Sequence, residues 1–118
     1  MPNSKYRMQN LVPFLPNPSE SSMSMHRPQA VPTIQISNDR VIVTEWRFAP
    51  GAETGWHRHA HDYVVVPMTD GELLLETADG ERRAPLVPGQ SYTRNVGVEH
   101  NVINPTEHEV VFIEIEMR

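Results

Sequence analysis

From Thr33 to the C-terminus, apolar residues recur at every second position over short runs, the period of strands with one face buried. The clearest run is Arg40–Phe48. It sets Ile42, Thr44, Trp46 and Phe48 on one face and Val41, Val43, Glu45 and Arg47 on the other. The turn residues Asn38-Asp39 separate it from a short strand expected over Thr33–Ser37. Tyr63–Met68 is a nearly continuous apolar run, suited to a strand buried on both faces. At the C-terminal end Val111, Ile113, Ile115 and Met117 are expected to face inward, with Glu114 and Glu116 facing out. Pro50-Gly51, Asp70-Gly71, Asp79-Gly80 and Pro88-Gly89 are turn signals. They delimit further strands over Glu72–Ala78, Glu81–Leu86, Ser91–Arg94, Asn101–Asn104 and Glu109–Met117. No segment carries a helical period. The pattern predicts an all-β domain, a sandwich or a small β-barrel, and closure would remove exposed strand edges.

The chain before residue 32 breaks this pattern. Pro2, Pro13, Pro16, Pro18 and Pro28 forbid a regular helix and interrupt any strand. Residues 1–31 are therefore expected to form an irregular arm, partly ordered by dimerisation, ahead of one domain over 32–118. Leu11–Pro16 is the arm's apolar stretch. The net charge of −5 provides no basic footprint for nucleic acid or an anionic membrane. The chain has no cysteine, which excludes disulfides, thiolate zinc sites and cysteine nucleophiles. Neither a membrane-spanning apolar run nor a signal-peptide core is present in the sequence, so a cytoplasmic location is expected.

Candidate chemistry is concentrated in Trp56–Tyr63, where His57, His59 and His61 alternate. On an extended strand they would point the same way. Neutral imidazole is a common transition-metal ligand, so three aimed at one volume suggest a metal site. The plainer alternative is an exposed strand face that is rich in histidine. A further ligand from a distant strand would favour the metal, and His100 is the candidate, after the turn Asn95–Glu99.

Two motifs then fall in order. The first runs from Gly51 through His57-x-His59 to Gly71, and the second from Gly89 through Gly97 and His100 to Asn104. Together they resemble the cupin superfamily, with its G-x5-H-x-H-x3-4-E-x6-G and G-x5-P-x-G-x2-H-x3-N motifs. The resemblance covers about residues 34–117, and the stretch His59–Gly71 is similar to the small β-alanine degradation, BauB-like, cupins. Two positions depart from the pattern. Asn95 stands for the proline, one turn residue for another. The glutamate ligand is missing: its place falls on Tyr63 counting from His59, or on Val64 counting back from Gly71. Tyr63 is favoured because it shares parity with His57 and His59.

The resemblance implies a small cupin-type barrel (a double-stranded β-helix, or jelly roll) with His57, His59 and His100 as metal ligands. Without the glutamate, a bound divalent ion would keep its full formal charge and have open positions, as at a catalytic site. Imidazole ligands suit one Fe, Ni, Zn or Cu ion per chain. Within the cupins, three-histidine sites resemble those of dioxygenases that bind an anionic substrate. The expected function is thus a metal-dependent, dioxygenase-like enzyme for a small anionic metabolite. The alternative is a cupin that binds or senses a metal and a small ligand without catalysis. His61 is compatible with a fourth ligand, a base beside the metal or a residue of the site's mouth. Tyr63 is a hydrogen-bond donor or a core aromatic, and Arg94 is a carboxylate clamp or an exposed side chain. Single-domain cupins commonly pair, so a homodimer is expected as well.

Overall fold

The computed structural model describes residues 26–118, so the arm expected over residues 1–31 lies largely outside the described residues. The part that is described, His26–Ala30, lies along the domain. Glu53 N–H donates to Pro28 O at 2.9 Å and Ala30 N–H donates to Glu53 O at 2.8 Å. Ala30 is fully buried in the core.

Nine strands follow: β1 (Val31–Ser37), β2 (Val41–Phe48), β3 (His57–Arg58), β4 (Asp62–Pro67), β5 (Gly71–Thr77), β6 (Gly80–Leu86), β7 (Tyr92–Arg94), β8 (Glu99–Ile103) and β9 (Val110–Met117). They form a five-stranded sheet in the order β1-β2-β9-β4-β7 and a four-stranded sheet in the order β3-β8-β5-β6. No helix occurs among the described residues. The fold is all-β with a jelly-roll layout, as the period-two pattern predicts.

The expected closure into a barrel is not what the structure shows: the two sheets remain separate ladders. The reason lies at the end of the molecule that carries the histidines. There β3 is two residues long and β7 three, and the segments that follow them, 59–61 and 95–98, run in loops. His59 N–H donates to Val98 O and Gly97 N–H to His59 O, which joins loop to loop in place of a ladder. Gly97 is at φ +93, a backbone conformation that glycine adopts freely.

The inner faces of the sheets form the core. Phe48 packs against Phe112 with ring centroids 5.5 Å apart, and against Trp46 at 6.1 Å. Ala52, Tyr63, Val65, Leu73, Leu86 and Val102 complete much of the buried cluster. Strand β4 buries Tyr63, Val65 and Pro67 on this side, while Val64 and Val66 are half-buried on the other. The face assignment expected for the last strand is reversed. In the β2–β9 ladder Trp46 stands opposite Phe112 and Thr44 opposite Glu114. Directly opposed residues share a face, so the inward side of β2 carries Val110, Phe112, Glu114 and Glu116 inward too. Ile113, Ile115 and Met117 lie on the outer face instead.

Asn104 ties the turns behind the site together and is fully buried. Its Nδ2 donates to His108 O at 2.8 Å, Phe48 O at 3.1 Å and Ala49 O at 3.3 Å. Its Oδ1 accepts from Thr106 N and Thr106 Oγ1 at 2.9 and 2.7 Å. Truncation would strand the buried Phe48 carbonyl and remove the partner of two half-buried ones. Asn104→Ala is therefore expected to destabilise the fold by about 3 kcal/mol in urea unfolding; a loss below about 1 kcal/mol would show that water replaces the amide.

Candidate metal centre

His57 and His100 stand directly opposite each other in the short β3–β8 ladder. His59 follows just after β3, buried, with its ring stacked on Tyr63 at a centroid distance of 3.9 Å and an interplanar angle of 18°. The Nε2 atoms converge: His57 to His59 is 3.0 Å and His59 to His100 is 3.2 Å. Three residues drawn from two strands and a loop thus meet at one point.

The backs of two rings are held. His57 Nδ1–H donates to Gly55 O at 2.9 Å. Thr54 Oγ1, itself donating to Gly55 O, lies 3.2 Å from the same nitrogen. Asn101 Oδ1 accepts from Gly55 N–H at 2.9 Å, and its Nδ2 donates to Glu53 and Glu76. This fixes the loop that aims His57. The Nδ1 atom of His59 faces Glu114 Oε2 at 3.4 Å and Glu116 Oε2 at 3.7 Å. Trp46 Nε1–H donates to the other oxygen of Glu114 at 2.8 Å.

These residues fit a metal ion. Because the Gly55 carbonyl takes the proton of His57 at Nδ1, the Nε2 of that ring presents a lone pair to its neighbours. Lone pairs at about 3 Å repel unless a cation lies among them. Metal–nitrogen bonds of about 2.0–2.1 Å would separate adjacent imidazole nitrogens by roughly 2.9 Å at a right angle and 3.4 Å at a tetrahedral one. The observed 3.0 and 3.2 Å fall in that interval. His57, His59 and His100 together could hold a metal ion.

The remaining expected site residues take distinct places. Tyr63 faces the pocket and Val64 points the other way, so of the two positions expected for the missing glutamate only Tyr63 reaches the pocket. Arg94 lines the same pocket, its guanidinium 4.4 Å over the Tyr92 ring. His61 is half-buried and outside the three-histidine cluster. The sequence reading missed Thr54, Asn101, Glu114 and Glu116. The signal for the two glutamates lies in their parity with Phe112, against which the more apolar opposite face carries Ile113 and Ile115.

Burial shapes the protonation of the site. Desolvation pushes the His57 pKa down to about 4, against the raising effect of the Gly55 carbonyl. Desolvation, then the neighbouring His57 and His59, push His100 down to about 3. Both rings are neutral near pH 7, as ligation requires. Burial raises Glu114 to about 7, partly opposed by His59. Glu116 is held low chiefly by the neighbouring His59, 3.7 Å away. Burial and the Glu114 charge keep the Tyr63 phenol above its ordinary range, so it remains a donor.

A pH dependence of stability follows. The unfolded chain protonates both histidines below their ordinary 6.5 while the folded chain does not until about 4 and 3. Their contribution is thus complete above 6.5 and lost as the pH falls. Glu114 acts oppositely, taking its proton in the folded state first, between about 7 and 4.5. Two groups outweigh one. The urea midpoint of metal-free protein is expected to fall between about pH 7.5 and 4.5, and to fall less in His100→Gln. A rising midpoint over that range would contradict this balance.

Residues 44–116 match the family model described as Cupin domain. The chain is 73% identical over 92 residues to the β-alanine degradation protein BauB of Pseudomonas aeruginosa, spanning 78% of this chain and 97% of that protein. The crystal structure of a cupin domain from Bordetella pertussis superposes with a TM-score of 0.79 at 65% identity, covering 80% of this chain and 99% of that one. A cupin superfamily protein from Desulfitobacterium hafniense gives 0.61 at 20% identity, covering 95% and 98%, and shows the fold alone. With the two histidine-bearing motifs meeting at one point inside a jelly roll, the chain belongs to the cupin family.

Proposed function

We propose that this chain is a metal-dependent, dioxygenase-like enzyme that acts on a small anionic metabolite bound between the three histidines and Arg94. The observation that carries the reading is the convergence of three Nε2 atoms at 3.0 and 3.2 Å on a pocket that also holds an arginine. A divalent Fe, Ni, Zn or Cu ion held by His57, His59 and His100 would supply Lewis acidity, and Fe or Cu would add redox activity toward O₂.

The chain's own side chains supply the rest of the chemistry. Arg94 offers a bidentate clamp for a carboxylate. Tyr63, protonated and beside the histidines, donates a hydrogen bond to bound ligand. Val65, Leu73, Leu75, Val102 and Phe112 wall the pocket and exclude water, which strengthens both polar contacts. The relative named for β-alanine degradation points to a carboxylate of about that size. Homodimer formation belongs to the same proposal. It is supported by the exposed Val31, Ile34 and Ile36 of edge strand β1, and by the row Val43–Ile115–Val64 across the outer sheet face.

Protein purified without a His-tag is expected to hold one transition metal ion per chain, and His57→Ala/His100→Ala to hold none; equal trace metal in both would sink the reading. The iron-loaded form is expected to consume O₂ with a member of a panel of small carboxylates, thiols and β-diketones. Tight ligand binding without O₂ uptake would instead identify a sensor. With an active substrate, Arg94→Gln should raise KM about 10- to 100-fold at unchanged metal content, the value of a charged hydrogen-bond pair.

A further inference from the structure

The three-imidazole set leaves one question of charge that the pocket itself answers. Three neutral rings bring none, yet two carboxylates stand directly behind one of them. Glu114 Oε2 and Glu116 Oε2 are 3.4 and 3.7 Å from His59 Nδ1, on the side of the ring away from His57 and His100. Glu114 is only 8% exposed. Burying a carboxylate costs several kcal/mol unless charge or hydrogen bonds compensate it. The Trp46 indole N–H, at 2.8 Å from Oε1, supplies one hydrogen bond and turns Oε2 toward His59. The β2–β9 register leaves the side chain no other face, since Glu114 pairs with inward Thr44 and Phe112 with inward Trp46.

We propose that the Glu114–Glu116 pair is a positioning device for His59: it holds that ring as the Nδ1–H tautomer and supplies, through the imidazole, the negative charge that the ligand set itself lacks. The inference rests on the three-histidine reading for its metal, but its statement about the tautomer does not. The polar atoms facing Nδ1 are oxygens of Glu116, which is held ionised, and of Glu114, and an ionised carboxylate only accepts. A proton on Nδ1 leaves the Nε2 lone pair aimed at the convergence point. A carboxylate behind a ligating imidazole raises its donor strength and fixes its orientation. Tyr63 braces the ring face by stacking at 3.9 Å, which removes the remaining freedom to rotate. The charge that a glutamate would bring in place of Tyr63 thus enters from β9, one ring further out.

The test needs no substrate. Nitrogen-15 NMR of the metal-free wild-type protein, with the histidines labelled and the pH at about 8.5 so that Glu114 is ionised, is expected to show His59 as the Nδ1–H tautomer; an Nε2–H tautomer would overturn the proposal with no variant made. Glu114→Gln/Glu116→Gln, checked for folding by circular dichroism, should shift His59 toward Nε2–H, because an amide N–H can now face Nδ1. It should also weaken Zn²⁺ binding by about 10- to 100-fold, while Glu116→Gln alone, at the more open position, should weaken it less. Zn²⁺ affinity within twofold of wild type in the folded double variant, with the tautomer unchanged, would overturn the proposal. A wild-type protein that takes up no Zn²⁺ would sink the metal reading and the charge-supply half of this one. The tautomer result would still decide the positioning half.

Discussion

The register between β2 and β9 is the constraint from which the rest of the site follows. Trp46 and Phe48 must go inward to fill the space between the sheets, where Phe48 meets Phe112 at 5.5 Å. A strand has a side-chain period of two, so fixing one aromatic pair fixes every residue of both strands. Glu114 is carried inward by that rule, whatever its desolvation costs. The cost is offset locally, by the Trp46 N–H and by a histidine whose other nitrogen is directed at the centre. The aromatic core and the candidate metal centre are therefore parts of one packing solution.

The same economy appears behind His57. The Gly55 carbonyl, the Thr54 hydroxyl and Asn101 form a polar tie between the β2–β3 connection, β8 and β5. Each histidine whose back is described thus meets an acceptor there, a carbonyl for His57 and carboxylates for His59. Both arrangements leave the Nε2 atoms as the free donors of electron pairs. Burial keeps two of the rings neutral, with pKa values depressed to about 4 and 3.

Membership of the cupin family fixes the scaffold and the positions of the histidines, and it leaves the reaction open, because one fold hosts many chemistries. The pocket of this chain holds Tyr63 where the family motif carries a carboxylate, Arg94 on the rim, and two glutamates behind His59. A site with neutral ligands and an arginine nearby is suited to anions. The charge placed behind His59 moderates the field at the centre without occupying a position that a ligand could use.

The sequence by itself determined the strand pattern, the turns and the three histidines. The period of apolar residues and the spacing of Gly51, His57, His59, Gly97, His100 and Asn104 are local properties that survive without coordinates. It also singled out Tyr63, since parity with His57 and His59 is a local property too. Which face of β9 is the inner one was decided only by the tertiary structure. Ile113 and Ile115 alternate with Glu114 and Glu116, and hydrophobicity alone favours the isoleucines; pairing with Trp46 and Thr44 reverses that preference. Closure was decided in the same way. Whether short β3 and β7 join the ladders into a barrel depends on the path of the loops around Gly97 and His59, which hydrogen-bond to each other and leave the sheets apart. Local periodicity can place residues on faces, but only the contact between strands says which face meets the core.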